Sequence, residues 1–241
     1  VKPIVYHVGL TPPPLIKMDV FNIFHHPVLK VIFKHYHLPD DINEILKQKP
    51  VLLLISKNAV IGLSKWLVHH DLDIDYFKGH DFWTIGNRTH DCLMDVLEIE
   101  SFHPSQMTGK GVLNALIDNK KSKIILMSGN DPQEEFIEAL NTSGINFFHF
   151  PLYEIIMNND LQFSIEFKNS KSNYLVITSP KSIDGILENL ALKDLSNIKP
   201  QIISMGPTTS SAINKHNGNV FHESRKQNIS ALYDDLIRLI A

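Results

Sequence analysis

Hydroxyl-bearing residues and glycines recur wherever this chain leaves a short apolar run. In the N-terminal half they are Ser56-Lys57-Asn58, Gly86-Asn87-Arg88-Thr89 and Met107-Thr108-Gly109. In the C-terminal half they are Ser128-Gly129-Asn130, Ser179-Pro180-Lys181-Ser182 and Gly206-Pro207-Thr208-Thr209. Each has helix-start chemistry: hydroxyls cap unpaired N–H groups, and proline is tolerated in a first helical turn. A strand running into such a helix start presents backbone N–H donors and the positive end of a helix dipole, which favour anions. Any one of these places is an ordinary cap. Six in a duplicated arrangement point to a ligand rich in carboxylates or phosphates.

Other chemistry is sparse. No nucleophilic triad is visible, and Cys92, among Leu93, Val96 and Leu97, reads as packing on the buried face of a helix. Gly109-Lys110-Gly111 lacks the rest of either phosphate-loop motif, which argues against nucleotide-dependent reactions. The thirteen histidines include His25-His26, His35-x-His37 and His69-His70, without cysteines or carboxylates at ligand spacing, so no metal is expected.

The elements that must position these residues repeat. Phe24 to Ile32 lines up with Phe148 to Ile156, and Leu54 to Gly62 with Ile177 to Gly185. Thr84 to Thr89 matches Ser204 to Thr209, and Thr108 to Ile117 matches Asn228 to Ile237. All four matches keep their order at an offset of roughly 120 residues, too long for a solenoid, so an α/β half is duplicated. Apolar runs such as Ile124-Ile125-Leu126-Met127 and Tyr174-Leu175-Val176-Ile177 read as strands buried on both faces. Helical spacing follows them, as at Phe136, Ile137 and Leu140 or Ile183, Ile186 and Leu190. The expected fold is therefore α/β, with doubly wound parallel sheets and binding at the carboxyl ends of the strands. Thr11-Pro12-Pro13-Pro14 leaves room only for a loop or short turn before Phe24.

Val28 to Lys34 and Leu152 to Asn158 are corresponding extended runs. Paired antiparallel, they would join two lobes. The expected division is residues 1–30 plus 158–241 as a discontinuous lobe, 36–150 as a continuous one, and linker strands near 28–35 and 152–158. The duplication has diverged at Tyr153, whose counterpart is Leu29. A tyrosine there could donate a proton or simply pack.

Composition excludes several classes. The net charge of −3 gives no global basic field for nucleic acid or an anionic membrane. Apolar runs such as Val51 to Ile55 are too short to span a bilayer, and the N-terminus reads as a strand rather than a signal peptide. One cysteine fits a reducing compartment.

The segment I-S-M-G-P-T-T-S-S-A-I at Ile203 to Ile213, preceded by I-T-S-P-K-S-I at Ile177 to Ile183, resembles the recurrent pattern of the uroporphyrinogen-III synthase family. Ile85 to Thr89 looks like the first-half counterpart, and Met127-Ser128-Gly129-Asn130 resembles the turn that opens the family's second half. The resemblance runs over nearly the whole chain in order. One departure is Tyr6-His7-Val8-Gly9, where the family usually carries an arginine just after its first strand.

The resemblance implies two lobes, each a doubly wound parallel sheet flanked by helices, joined by a two-stranded β linker with a cleft between them. It implies a cytoplasmic, monomeric lyase without metal or organic cofactor. The substrate would be the linear tetrapyrrole hydroxymethylbilane, with transient hand-over from hydroxymethylbilane synthase, and the product uroporphyrinogen III. Tyr153 corresponds to the tyrosine proposed to assist loss of the hydroxyl. Thr89, Ser179, Thr208 and Thr209, with Ser56, Gly129 and Asn130, correspond to positions that hold the acetate and propionate groups. Because the chain is mildly acidic, helix N-termini and oriented amides are expected to hold these groups rather than Lys/Arg clamps. The rival readings are a non-catalytic two-lobed binding protein and a flavodoxin-like nucleotide or flavin binder.

Overall fold

The computed structural model describes residues 2–15, 19–38, 42–169 and 173–240. The chain opens with strands β1 (Ile4–His7), β2 (Asn22–His25) and β3 (Leu29–Phe33). The loop or turn expected before Phe24 includes residues 16–18, which lie outside the described residues. There follow α1 (Ile42–Lys47), β4 (Val51–Leu54), α2 (Lys57–His69), β5 (Phe82–Thr84), α3 (Asn87–Leu97) and α4 (Gly109–Asp118). Next are β6 (Lys123–Gly129), α5 (Glu134–Thr142), β7 (Asn146–Met157), α6 (Leu161–Asn169) and β8 (Tyr174–Ile177). The chain closes with α7 (Lys181–Leu190), β9 (Gln201–Ser204), α8 (Pro207–Lys215), β10 (Val220–Glu223) and α9 (Ile229–Ile240).

Two compact units result: Val1–Lys30 with Ile156–Ala241, and Val31–Ile155. The sheet of the first runs β10-β9-β8-β1-β2, with every neighbouring pair parallel. The second sheet runs β3-β7-β6-β4-β5, and its β7, β6, β4 and β5 are parallel. β3 is the exception. Asn158 N–H donates to Val28 O and Lys34 N–H to Leu152 O, both at 2.9 Å, a pairing that runs antiparallel.

The all-apolar strand sequences follow from burial on both faces. Leu52 and Leu54 of β4 join the cluster that holds Trp66 of α2 and Leu93 of α3. Val51 and Leu53 face the other way, against Val112 and Leu116 of α4 and Phe136 and Leu140 of α5. In the first unit Val5, Val176 and Ile203 pack on Leu232, Tyr233 and Leu236 of α9. The duplication is visible in how β3 and β7 meet the helices. A Cβ at Gly62 of α2 would lie 2.8 Å from Leu152 Cβ, and one at Gly185 of α7 would lie 2.7 Å from Val28 O. Each helix thus carries a glycine where an extended segment passes closest.

Four sequence readings need correction. The run Leu152 to Asn158 is not a separate strand: β7 is continuous from Asn146 through Pro151, although its register against β6 shifts just after Pro151. Ser128-Gly129-Asn130 does not open a helix, since α5 begins only at Glu134, beyond a loop. Thr108 does cap α4 through Gly111 N–H (3.1 Å), but after a loop rather than a strand. Val96 faces outward at 42% exposure, although its neighbour Leu93 is fully buried.

Candidate active site

Tyr153 lies at an irregularity of β7. β6 and β7 stay in step from Lys123 opposite Asn146 to Ser128 opposite Pro151, and the next pair is Gly129 opposite Tyr153. Leu152 is therefore an extra residue, and such a bulge bends a strand and re-aims its side chains. Leu152 and Tyr153 both enter the same core cluster, whereas successive residues of a regular strand point to opposite faces.

The residues around Tyr153 serve it. Its hydroxyl lies 3.0 Å from Ser56 Oγ. Ser56 is the extended N-cap of α2, and its Oγ accepts the Ala59 N–H at 3.1 Å. A Cβ on Gly129 would stand 2.9 Å from Tyr153 Cε2, so only glycine leaves the ring its place. Asn130 N–H donates to the Tyr153 carbonyl at 2.8 Å. Ser56, Gly129 and Asn130, expected among substrate contacts, are thus brought together around Tyr153.

One residue of this assembly, His149, escaped the sequence reading, and Ser128, noted there at a strand exit, is its partner. Ser128 is fully buried, and its Oγ donates to Gly129 O (2.9 Å) and lies 2.8 Å from His149 Nε2. His149 Nε2 also lies 3.1 Å from Gly129 O. Burial holds the His149 imidazole below its usual range, opposed by that bond. The available signal was the repeat, which aligns His149 with His25.

The starts of α3 and α8 are near copies. Gly86 and Gly206 are extended, with φ of 171° and 168°, and neither helix has a side-chain cap. Residues 82–89 and 202–209 share one burial pattern: three buried, one half-buried, one buried, two exposed, one buried. Thr89 and Thr209 point inward at 4% exposure each, while Thr208 is exposed. Hydroxyls brace both first turns from below. Ser101 Oγ lies 3.3 Å from Thr84 Oγ1 and 2.9 Å from His90 Nδ1, and Ser204 Oγ lies 2.6 Å from Ser210 Oγ. The rigid, uncapped N–H groups above them can receive an anion. Ser179 is half-buried before α7, with its Oγ 2.8 Å from Ser182 Oγ.

At the end of β1, His7 is fully buried. Its Nε2 is 2.9 Å from Thr11 O, which can only accept, so the proton is on Nε2 and Nδ1 accepts from the Tyr233 hydroxyl at 3.1 Å. Burial, with His25 beside it, lowers the His7 pKa to about 4, against the pull of the Thr11 bond. This exit therefore presents a neutral ring rather than a cation. Burial also pushes the Cys92 thiol up, in keeping with packing rather than nucleophilic chemistry. An open hollow of about 660 Å³ lined by Asn43, Glu44, Leu46, Lys47, Tyr76 and His80 contains none of the expected site residues. Among the described residues no helix is long and apolar enough to cross a membrane.

Comparison with known proteins adds to this geometry. A family model described as uroporphyrinogen-III synthase HemD matches residues 15–234. No curated protein sequence matches the chain. Among solved structures, uroporphyrinogen-III synthetase from Helicobacter pylori superposes with a TM-score of 0.69 at 18% identity, covering 99% of this chain and 100% of that one. A mutant uroporphyrinogen III synthase from the extremely thermophilic bacterium Thermus thermophilus gives 0.62 at 14% identity, covering 99% and 98%. At such identities these two likenesses speak for the fold.

Proposed function

The chain belongs to the uroporphyrinogen-III synthase family, and from that premise we propose how its residues divide the work of closing hydroxymethylbilane. The family's reaction removes the hydroxyl of this linear tetrapyrrole, closes the macrocycle and inverts ring D, giving uroporphyrinogen III and water in haem biosynthesis.

The pyrrole nitrogen lone pair expels the hydroxyl and stabilises the cation left on the methylene carbon. The departing oxygen takes a proton and leaves as water. Tyr153 is the donor. As its proton moves to the leaving oxygen, the phenolate formed keeps a partner in the Ser56 hydroxyl at the positive end of α2. The substituted carbon of ring D then attacks the cation, and its old bond to the ring C methylene breaks. The methylene cation so formed is captured by the free α-carbon of ring D, and the proton lost from that carbon restores the pyrrole. This sequence is governed by orientation more than by further acid–base groups. Backbone N–H donors suited to the acetate and propionate groups stand at the start of α3 in the second unit and, separately, at the start of α8 in the first, where the exposed Thr208 hydroxyl and Ser179 are assigned the same task. Thr89 and Thr209, turned inward, shape those helix starts. No basic contact is assigned to the exit of β1.

The observation that carries this reading is the bulge-aimed Tyr153 on Ser56, in a chain matched by the family model over 15–234. A substrate that cyclises spontaneously favours transient hand-over from hydroxymethylbilane synthase. We also assign action as a cytoplasmic monomer, consistent with one cysteine and the reducing compartment it fits. Incubating the purified protein with hydroxymethylbilane, oxidising the products and separating the porphyrin isomers tests the function. Isomer III supports it; only the spontaneous isomer I would overturn it in favour of binding without catalysis.

A further inference from the structure

His149, which the proposed reaction does not use, holds the peptide on which Tyr153 rests. Ile124 and Leu126 of β6 and Phe147 of β7 face one side of the second sheet, whereas Met127, Phe150, Leu152 and Tyr153 face the other. By strand alternation Ser128 and His149 stand on the first side, opposite the Tyr153 ring. Two donors converge there on the Gly129 carbonyl, which can only accept: Ser128 Oγ at 2.9 Å and His149 Nε2 at 3.1 Å. The His149 proton is therefore on Nε2, and it is shared with Ser128 Oγ at 2.8 Å. In a trans peptide the N–H points away from the carbonyl, and the Asn130 N–H reaches the Tyr153 carbonyl at 2.8 Å. The Gly129–Asn130 peptide is thus gripped at its oxygen by His149 and Ser128 and at its nitrogen by Tyr153.

We propose that His149 is a positioning residue for the reaction, holding the Gly129–Asn130 peptide so that Tyr153 keeps the bulged register in which its hydroxyl meets Ser56. The inference rests on the reading of Tyr153 as proton donor. In an unbulged register Leu152 would stand opposite Gly129, and Tyr153 would turn to the His149 side of the sheet, away from Ser56. The gripped peptide opposes that slip, because its N–H is committed to the Tyr153 carbonyl. The Tyr153 ring adds a restraint from the other side, lying where a Cβ on Gly129 would come within 2.9 Å of Cε2. Burial lowers the His149 pKa, so the ring that makes these bonds is neutral and brings no cation to the assembly.

The other copy of the repeat carries the same device. His25, the counterpart of His149, donates from Nε2 to Gly9 O at 2.7 Å beside the parallel pair β1 and β2. Gly9 likewise has no room for a Cβ, which would run into the Thr178 side chain. The counterpart of Tyr153 there is Leu29, so His25 fixes a strand exit without aiming an acid. Only in the second unit does the gripped peptide hold a tyrosine.

The test is a double-mutant cycle on the full chain, read as kcat and KM for isomer III formation from hydroxymethylbilane. His149→Phe keeps a ring and loses the donor; it should lower kcat roughly tenfold with KM changed less than about twofold. His149→Gln, whose amide nitrogen stands where Nε2 stood, should recover most of the rate. In the Tyr153→Phe background His149→Phe should cost less than about twofold, since the group it positions has no proton to give. A role confined to stability would cost the same in both backgrounds. Equal losses in the two backgrounds, or an unchanged kcat in folded His149→Phe, overturn the inference, while a slow Tyr153→Phe leaves the donor assignment standing. An unchanged rate in Tyr153→Phe alone overturns the donor assignment and this role with it. If His149→Phe does not fold, His149→Asn, whose nitrogen stops at the Nδ1 position, enters the cycle in its place.

Discussion

The Tyr153 hydroxyl lies 3.0 Å from Ser56 Oγ, and the same oxygen accepts the Ala59 N–H that opens α2. One serine thus ends a helix and positions the proposed proton donor. A bulge of one residue, Leu152, turns Tyr153 toward it. Stability and turnover are coupled at this point, and substitution can separate them.

Ser56→Ala removes both bonds. Loss of an N-cap costs about 1 kcal/mol, read as a lower denaturant midpoint. The kcat should fall roughly tenfold with KM little changed, the signature of an interaction that matters in the transition state. Ser56→Thr keeps a capping hydroxyl and should recover most of both. A kcat untouched in folded Ser56→Ala would remove the serine from the mechanism.

Gly129→Ala places a methyl 2.9 Å from the Tyr153 ring. The ring or β6 must move, at about 1–3 kcal/mol for overpacking a filled site. The near-ultraviolet circular dichroism of the tyrosine should change along with kcat. A variant matching the parent in spectrum, stability and rate would show that the contact around Gly129 is slack.

Asn87→Pro tests whether backbone N–H groups hold carboxylates. Pro207 already occupies the equivalent first position of α8, within the same burial pattern, so α3 should accept proline. Only one donor is lost. A hydrogen bond to a charged group is worth about 1.5–3 kcal/mol, so KM should rise roughly tenfold or more at unchanged kcat. An unchanged KM would mean that the N–H of residue 87 does not touch substrate.

His7 predicts an acid-side weakness. It titrates at about 4 when folded against an ordinary 6.5, so the unfolded chain binds more protons between those values. Stability is therefore full above pH 6.5 and declines as pH falls toward 4, by roughly 3 kcal/mol from this residue. His149, lowered by burial, adds in the same direction. Urea midpoints at pH 7 and 5 should differ in this sense, and His7→Gln should flatten the difference. Equal midpoints in the parent would contradict the neutral assignment.

The α/β class and the parallel sheets were legible because strands buried on both faces read as unbroken apolar runs, as at Val51 to Leu54. The similarity of the α3 and α8 starts was legible because duplication left Gly86 and Gly206 in equivalent places. Other features depend on pairing rather than pattern. The bulge at Leu152 is defined by the register of β6 against β7, and Pro151 beside it, a residue that sheets tolerate at bulges, is its one local mark. Ser56, Gly129 and Asn130 were recognised by type, but their common role around Tyr153 comes from strands β6 and β7 meeting the start of α2. The inward turn of Thr209 and outward turn of Thr208 likewise follow from the helix phase, which the dipeptide alone leaves open.

The most direct measurement is single-turnover formation of uroporphyrinogen III from hydroxymethylbilane by the parent chain and by Tyr153→Phe, with isomers separated after oxidation. General acid assistance is worth at least about a hundredfold in many enzymes, and the pyrrole nitrogen reduces the need for it here, so a loss of roughly 10–100-fold is expected. The variant should remain folded and still favour isomer III over the spontaneous isomer I. An unchanged rate in Tyr153→Phe would contradict the account, and the leaving hydroxyl would have to take its proton from elsewhere.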